Sequence, residues 1–191
     1  MMCALFLYLF YQIYWVSSVS IELEERYNKG TGYIGFFMFV RSLGALVTTF
    51  IVAPVVRCIG RPLTLFIASV AQFLAFIFVG PSLIFGLPPN AEIIMLGITM
   101  KGFLDPFLFI PVIPEMIDRF RNKHPNQYFI GPVGDVMSSL ANVTIDIAVL
   151  SGSFCGHLAF ESLGFRQASD VFLLLQLPLI GFLFIFGGII P

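Results

Sequence analysis

Three long stretches of this chain, residues 1–21, 62–91 and 171–191, contain no Asp, Glu, Lys or Arg. A helix needs roughly 20 residues to cross the hydrocarbon core of a bilayer, and each stretch reaches that length. Three further apolar blocks lie between them, each interrupted by only one or two ionisable groups. Backbone amides inside lipid must be satisfied internally, which leaves helices as the simplest spanning structure for such segments. The pattern predicts an all-α polytopic membrane protein: six transmembrane helices forming one bundle over residues 1–191.

Composition closes off the main alternative. Charged residues make up 11% of the chain, against roughly 25% in an ordinary soluble domain. A water-soluble protein of this size would have to hide nearly all of its apolar surface with too few polar residues to coat it. Net charge is −1, so nothing points to nucleic acid or to an electrostatic membrane tether. Cys3, Cys58 and Cys155 show neither CxxC nor metal-ligand spacing and read as free, packing-type cysteines. The first segment lacks the basic start of a secretory signal, and Gln12, Tyr14 and Trp15 dilute its apolar core. It reads as a retained helix.

Helix 1 is expected over Cys3–Ile21, with Tyr8, Tyr11, Tyr14 and Trp15 placed to meet headgroups or a partner helix. A polar linker, Glu22–Gly32, leads to helix 2, about Tyr33–Val56, interrupted only by Arg41; Glu22, Glu24 and Glu25 most simply solvate that linker. The tight cluster Arg57–Pro62 opens helix 3, about Leu63–Gly80, with Pro62 in its first turn. After the Gly- and Pro-rich loop Pro81–Glu92 comes helix 4, about Ile93–Pro114, where Pro106, Pro111 and Pro114 predict kinks or local unwinding. A charged loop, Glu115–Gly131, precedes helix 5, about Val133–Cys155, and the loop His157–Asp170 enters helix 6, Val171–Ile190. Arg57, Arg61, Arg119, Arg121 and Lys123 in loops 2 and 4 outnumber Arg26, Lys29 and Arg166 in loops 1, 3 and 5. The positive-inside rule then places both termini in the cytoplasm.

Ionisable groups inside the helices are the candidate functional residues, because each costs a few kcal/mol in lipid unless it faces protein or water. Asp105 falls near mid-membrane in helix 4 with Lys101 one turn earlier on the same face. The pair reads either as a local i,i+4 ion pair or as a substrate- or proton-binding carboxylate with a neighbouring base. Asp146, central in helix 5, has no base in its own helix; it suits a proton carrier or an interhelical hydrogen bond. Asp135 sits nearer the loop, at the interface. Arg41 either snorkels to the surface or pairs with Asp105 or Asp146 across the bundle. His157 reads as a loop residue.

Gly152-x-x-x-Gly156 is a GxxxG motif that supports close helix packing, and Gly97 with Gly102 adds small residues to helix 4. Asn142-Val143-Thr144 matches a glycosylation sequon but lies inside helix 5 and should be silent. No nucleotide loop, HExxH, Ser/His/Asp series or Cys/His cluster appears. The sequence therefore calls for no enzyme chemistry, no metal and no cofactor.

Several segments are familiar in this order: Gly30–Phe50 (GTGYIGFFMFVRSLGALVTTF), Gly80-Pro81-Ser82 with Gly86-Leu87-Pro88-Pro89, Pro111-Val112-Ile113-Pro114-Glu115-Met116, and Gly164-Phe165-Arg166. The chain resembles the carboxy-terminal six-helix half of a major facilitator superfamily transporter. Within it, the chain is most similar to the drug:proton antiporter and vesicular amine or polyamine transporter branch. The resemblance implies that Asp105 is the carboxylate of the equivalent helix in vesicular amine transporters. The family's next carboxylate falls on Asn142, with Asp146 one turn further on. Residues Ala53–Pro62 resemble a degenerate G-x-x-x-D-R-x-G-R-R gating motif, in which Gly60 and Arg61 survive and Arg57 replaces the acid. The G-P-x-x-G-G pattern reads Gly152 to His157, retaining Gly152 and Gly156.

The expectation drawn from these residues is secondary transport of a small organic cation, amine- or polyamine-like, or a drug, by proton antiport. Asp105, Asp146, Asn142, Arg41 and Lys101 would line the site, and Arg57, Gly60 and Arg61 would gate it. The expected partners are the lipid bilayer, the cation, the proton and a second six-helix half, supplied by a missing amino-terminal portion, a second copy or another chain. The immediate start of helix 1 after Met1-Met2 favours the first of these. The expected location is a plasma or intracellular vesicle membrane. The competing expectation is a non-transporting structural or assembly subunit, favoured by Asn142 at the carboxylate position and by the degraded gating motif.

Overall fold

In a computed structural model, which describes residues 2–123 and 130–186, the described residues form α-helices joined by turns and loops. Among the described residues there are six helices: α1 (Met2–Glu25), α2 (Thr31–Ile59), α3 (Arg61–Val79), α4 (Ala91–Lys123), α5 (Ile130–Leu163) and α6 (Phe165–Phe186). Among the described residues, α2, α3, α4 and α5 contain segments long and apolar enough to cross a membrane. With Phe36, Phe39 and Phe50 exposed on α2 and Leu150 and Phe154 on α5, this is a polytopic membrane protein whose outer faces suit lipid.

Most elements extend beyond the boundaries that polarity suggests, because charge does not stop a helix. The stretch Glu115–Lys123 stays helical in α4, tied by Arg119 to Glu115 at 2.7 Å and by an ion pair between Arg61 and Asp118. His157 likewise lies in α5, one turn from Glu161 at 3.3 Å, and α5 ends only at Leu163. Glu22 is a buried residue of α1 that pairs with Arg26 at 3.0 Å. Helix α4 runs through Pro106, Pro111 and Pro114 without leaving α geometry. The expected boundaries at Ile21, Val56, Pro114, Gly131, Val133, Cys155 and Asp170 thus fall inside helices.

Two junctions share one device. Gly60 alone joins α2 to α3 with φ +89°, and Gly164 alone joins α5 to α6 with φ +76°. Both conformations are costly for a residue with a Cβ. Each glycine amide also closes the preceding helix, Gly60 on the Val56 carbonyl and Gly164 on the Phe160 carbonyl, both at 2.9 Å. Pro62 follows in the first turn of α3, where its missing N–H costs nothing.

The most extensive packing pairs α1 with α5 and α4 with both α2 and α3; α6 rests on α1, α3 and α5. Small residues set these approaches. The GxxxG of α5 meets α1: a Cβ on Gly152 would fall 2.8 Å from the Phe10 carbonyl oxygen, and one on Gly156 2.9 Å from the Tyr14 ring. On α4, a Cβ on Gly102 would overlap the Arg41 carbonyl oxygen and lie 2.8 Å from its Cα. A Cβ on Gly97 would come within 2.5 Å of the Val79 nitrogen of α3. The core between these helices is aromatic, with Tyr11, Tyr14, Trp15, Phe76, Phe165 and Phe172 buried together. The α1 aromatics thus meet partner helices, not headgroups: Tyr11 donates to the Phe172 carbonyl, and Tyr14 stacks on Phe172 at 4.1 Å.

One end of the bundle is latched. Arg166 donates through Nε to the Pro81 carbonyl at 2.8 Å and through Nη2 to the Leu87 carbonyl at 2.6 Å. Asp170 accepts from the Ser82 hydroxyl and from the Leu83 amide at 2.9 Å. The Pro- and Gly-rich loop between α3 and α4 is therefore pinned to the first turns of α6.

Because its neighbour is backbone, Gly102→Ala is expected to destabilise the protein by about 1–3 kcal/mol, the usual range for overpacking. Gly35→Ala, with nothing within 4 Å of the added carbon, should be neutral or stabilising. Thermal unfolding of both variants in one detergent checks the contrast.

Candidate functional site

The carboxylate of Asp105 is the hub of a buried polar cluster drawn from four helices. It lies about 20 Å along α4, at 1.5 Å per residue, and is 9% exposed. Its Oδ1 accepts from Tyr8 Oη at 2.9 Å, Gln12 Nε2 at 2.5 Å and Gln72 Nε2 at 2.7 Å. Its Oδ2 accepts from Arg41 Nη2 at 2.6 Å. Every donor comes from another helix: Tyr8 and Gln12 from α1, Arg41 from α2, Gln72 from α3. A carboxylate in so apolar a setting needs this number of donors.

The donors are themselves held. Gln12 Oε1 accepts from Trp15 Nε1 at 2.5 Å, and Gln12 Nε2 also donates to Tyr8 Oη at 2.6 Å. The network therefore fixes which way that amide points. Gln72 is oriented by Lys101, whose Nζ donates to Gln72 Oε1 at 3.2 Å. Lys101 is 1% exposed and lies over the rings of Trp15 and Phe76, 5.3 Å from each centroid. The Arg41 guanidinium also lies over Trp15, 5.1 Å from the centroid. Two cations thus share one indole, an arrangement that supplies electron density where oxygen acceptors are few.

The cluster opens on one side. A cleft of about 540 Å³ runs along α1, α2 and α4, and Tyr8, Gln12, Arg41 and Asp105 form its polar wall. Leu9, Ile13, Val16, Phe109 and Ile110 form its apolar walls, with Ser42 and Thr49 along α2. A pocket of this size, mostly apolar with a few convergent polar groups, has the character of a small-molecule site.

Of the residues singled out from sequence, Arg41, Lys101 and Asp105 come together here. Of the pairings open to Arg41, the structure shows the one with Asp105. Lys101 does not pair with Asp105 directly, although it is one turn away. It reaches the carboxylate through Gln72, since both carboxylate oxygens already have other donors. Asn142 and Asp146 lie elsewhere, exposed on α5 and absent from the cleft wall. Arg57 is exposed at the end of α2, Gly60 forms the α2–α3 junction, and Arg61 pairs with Asp118 of α4.

Tyr8, Gln12, Trp15 and Gln72 were not singled out for this site by the sequence. Their signal was nevertheless present. Tyr8, Gln12 and Trp15 follow i, i+4, i+7 spacing on one face of α1, and both glutamines sit inside charge-free runs. A primary amide in an otherwise apolar membrane helix needs a partner as surely as a charge does.

Comparison with protein-family models, curated proteins and solved structures finds no match to this chain. The site's geometry therefore carries the functional argument.

If the Arg41–Asp105 pair is a coupled unit, Arg41→Gln should destabilise more than Arg41→Gln combined with Asp105→Asn relative to Asp105→Asn alone. The expected coupling is about 1–3 kcal/mol. A double-mutant cycle of thermal unfolding in detergent measures it. Additive losses would show that the ion pair contributes nothing beyond its parts.

Proposed function

We propose that this protein is a secondary transporter built as a six-helix half of the major facilitator type, with the Asp105 cluster as its charge-coupling site. The observation that carries the reading is a buried carboxylate on α4, gripped by donors from α1, α2 and α3, beside an open cleft between helices. Structural ion pairs do not need a cleft, and a cleft for apolar ligands does not need a carboxylate at depth.

The pattern of packing supports the same reading. Exchanging the first three helices for the last three maps the α1–α5 contact onto α4–α2, and the Gly60 junction onto Gly164. Transporter halves of this type are built from two inverted three-helix repeats with the site at their interface. Six spans with cytoplasmic termini, in a plasma or vesicle membrane, fit this arrangement.

A small organic cation or drug exchanged for protons is one form of the mechanism. Asp105 is then the exchange group, and a proton or cation displaces Arg41 from Oδ2. The freed guanidinium competes for the site and resets it. Gly60 and Arg61, with Arg57 beside them, lie where α2, α3 and α4 meet and would resist their separation as gating elements. A partner belongs to this reading as well. Asp135, Asn142 and Asp146 are exposed on α5, where hydrocarbon would be expensive, and a second six-helix body covers them. The same face would serve a non-transporting assembly subunit, which differs in having no flux.

Proteoliposomes with an imposed pH gradient test the reading. Uptake of a transported solute should depend on pH in the native protein and lose that dependence in Asp105→Asn, with flux reduced at least tenfold. Unchanged flux and pH profile in a folded Asp105→Asn would remove Asp105 from the mechanism.

A further inference from the structure

Two cations and one carboxylate share the buried cluster, and this imbalance bears on what the cleft can take. Arg41 from α2, Lys101 and Asp105 from α4 are the charged groups that face one another. The groups facing them from α1 are Tyr8, Gln12 and Trp15, and from α3 Gln72 and Phe76, all uncharged side chains. The carboxylate has little left to offer. Oδ1 takes three donors and Oδ2 takes Arg41, so a cationic ligand meets a saturated acceptor flanked by two positive groups.

Arg41 is placed differently. A guanidinium offers five N–H donors in a planar fork. Here Nη2 is engaged by Asp105, while Nε is buried with no partner. The side chain is 26% exposed and lines the cleft. A buried donor without an acceptor is costly, and so is an uncompensated positive charge at membrane depth. One anion at the cleft edge, meeting the exposed part of the guanidinium, compensates that charge. The apolar walls formed by Leu9, Ile13, Val16, Phe109 and Ile110 then receive the rest of the molecule.

Resting on the reading of this site as a transport site, but replacing its organic-cation form, we propose that the cleft binds an amphipathic organic anion, an acidic head group on an apolar body, recognised by Arg41. Asp105 is the internal counter-ion that holds the guanidinium in place, and Lys101 supplies the second positive charge. With the ligand bound, two positive and two negative groups balance.

Trp15, the chain's single tryptophan, lies under the Arg41 guanidinium and reports occupancy directly. The protein in phosphatidylcholine vesicles is titrated with two dansyl probes of matched apolar body, one ending in a carboxylate and the other in a primary ammonium. Saturable energy transfer from Trp15 to the carboxylate probe is expected, with the ammonium probe at least tenfold weaker. Arg41→Gln should weaken the carboxylate probe at least tenfold, and Arg41→Lys should restore part of the loss. Asp105→Asn should bind it at least threefold more tightly than the native protein, because removing the internal counter-ion frees Nη2 for the ligand. That variant decides the matter where Arg41→Gln fails to fold.

Preference for the ammonium probe, undiminished carboxylate binding in folded Arg41→Gln, or no gain of it in folded Asp105→Asn each overturns the proposal. Added phosphatidylglycerol separates two sources of the anion: suppression of the probe signal assigns the site to a lipid headgroup, and indifference assigns it to a solute. No flux enters this measurement. A protein that binds the carboxylate probe and transports nothing keeps the anion site and loses the transport reading. One that moves cations without binding the carboxylate does the reverse.

Discussion

A carboxylate cannot be left bare inside an apolar bundle, and the arrangement of four of the six helices follows from how Asp105 is accommodated. Its two oxygens take hydrogen bonds from α1, α2 and α3, so those helices must present Tyr8, Gln12, Arg41 and Gln72 at one depth and facing one point. Apolar packing alone is tolerant of sliding and rotation. A shared carboxylate is not, since a shift of one residue on α1 would carry both Tyr8 Oη and Gln12 Nε2 away from Oδ1 and strip the carboxylate of two of its four donors. The polar hub therefore acts as a register pin for the helices around the cleft.

Close backbone approach is what makes the hub reachable. Gly102 lies one turn before Pro106 on α4 and lets the α2 backbone at Arg41 come into contact, which positions the guanidinium opposite Asp105 three residues further along. On the other side, Gly152 and Gly156 bring α5 against Phe10 and Tyr14, supporting the helix that supplies Tyr8, Gln12 and Trp15. Neither contact touches the carboxylate. Both set the distance over which its donors must reach, which in a lipid environment is fixed by van der Waals packing in place of hydrophobic collapse.

The cation-rich character of the site comes from a division of labour between rings and amides. Lys101 has one oxygen acceptor, Gln72 Oε1, and otherwise faces Trp15 and Phe76. Arg41 shares the face of the same indole. Aromatic faces lower the cost of holding positive charge without neutralising it, so the cluster keeps a net positive bias that a second carboxylate would have removed. That bias sets the electrostatic character of the cleft's polar wall.

Membrane class, several apolar helices and the conspicuous positions of Arg41, Lys101 and Asp105 were readable from residue order, because an ionisable group in a long apolar run stands out in one dimension. The junction at Gly60 with Pro62 behind it was readable for the same reason: local backbone chemistry needs no distant partner. Helix ends at Lys123 and Leu163 were less so, since i,i+4 pairs and a tie from Arg61 to Asp118 extend helices that polarity alone would end. What only the tertiary structure decided is who meets whom. Lys101 stands one turn from Asp105 yet bonds Gln72, while Arg41, 64 positions away, takes the carboxylate. Sequence spacing governs contacts along one helix; contacts between helices depend on rotation and depth, which emerge when glycine faces, aromatic rings and buried donors settle together.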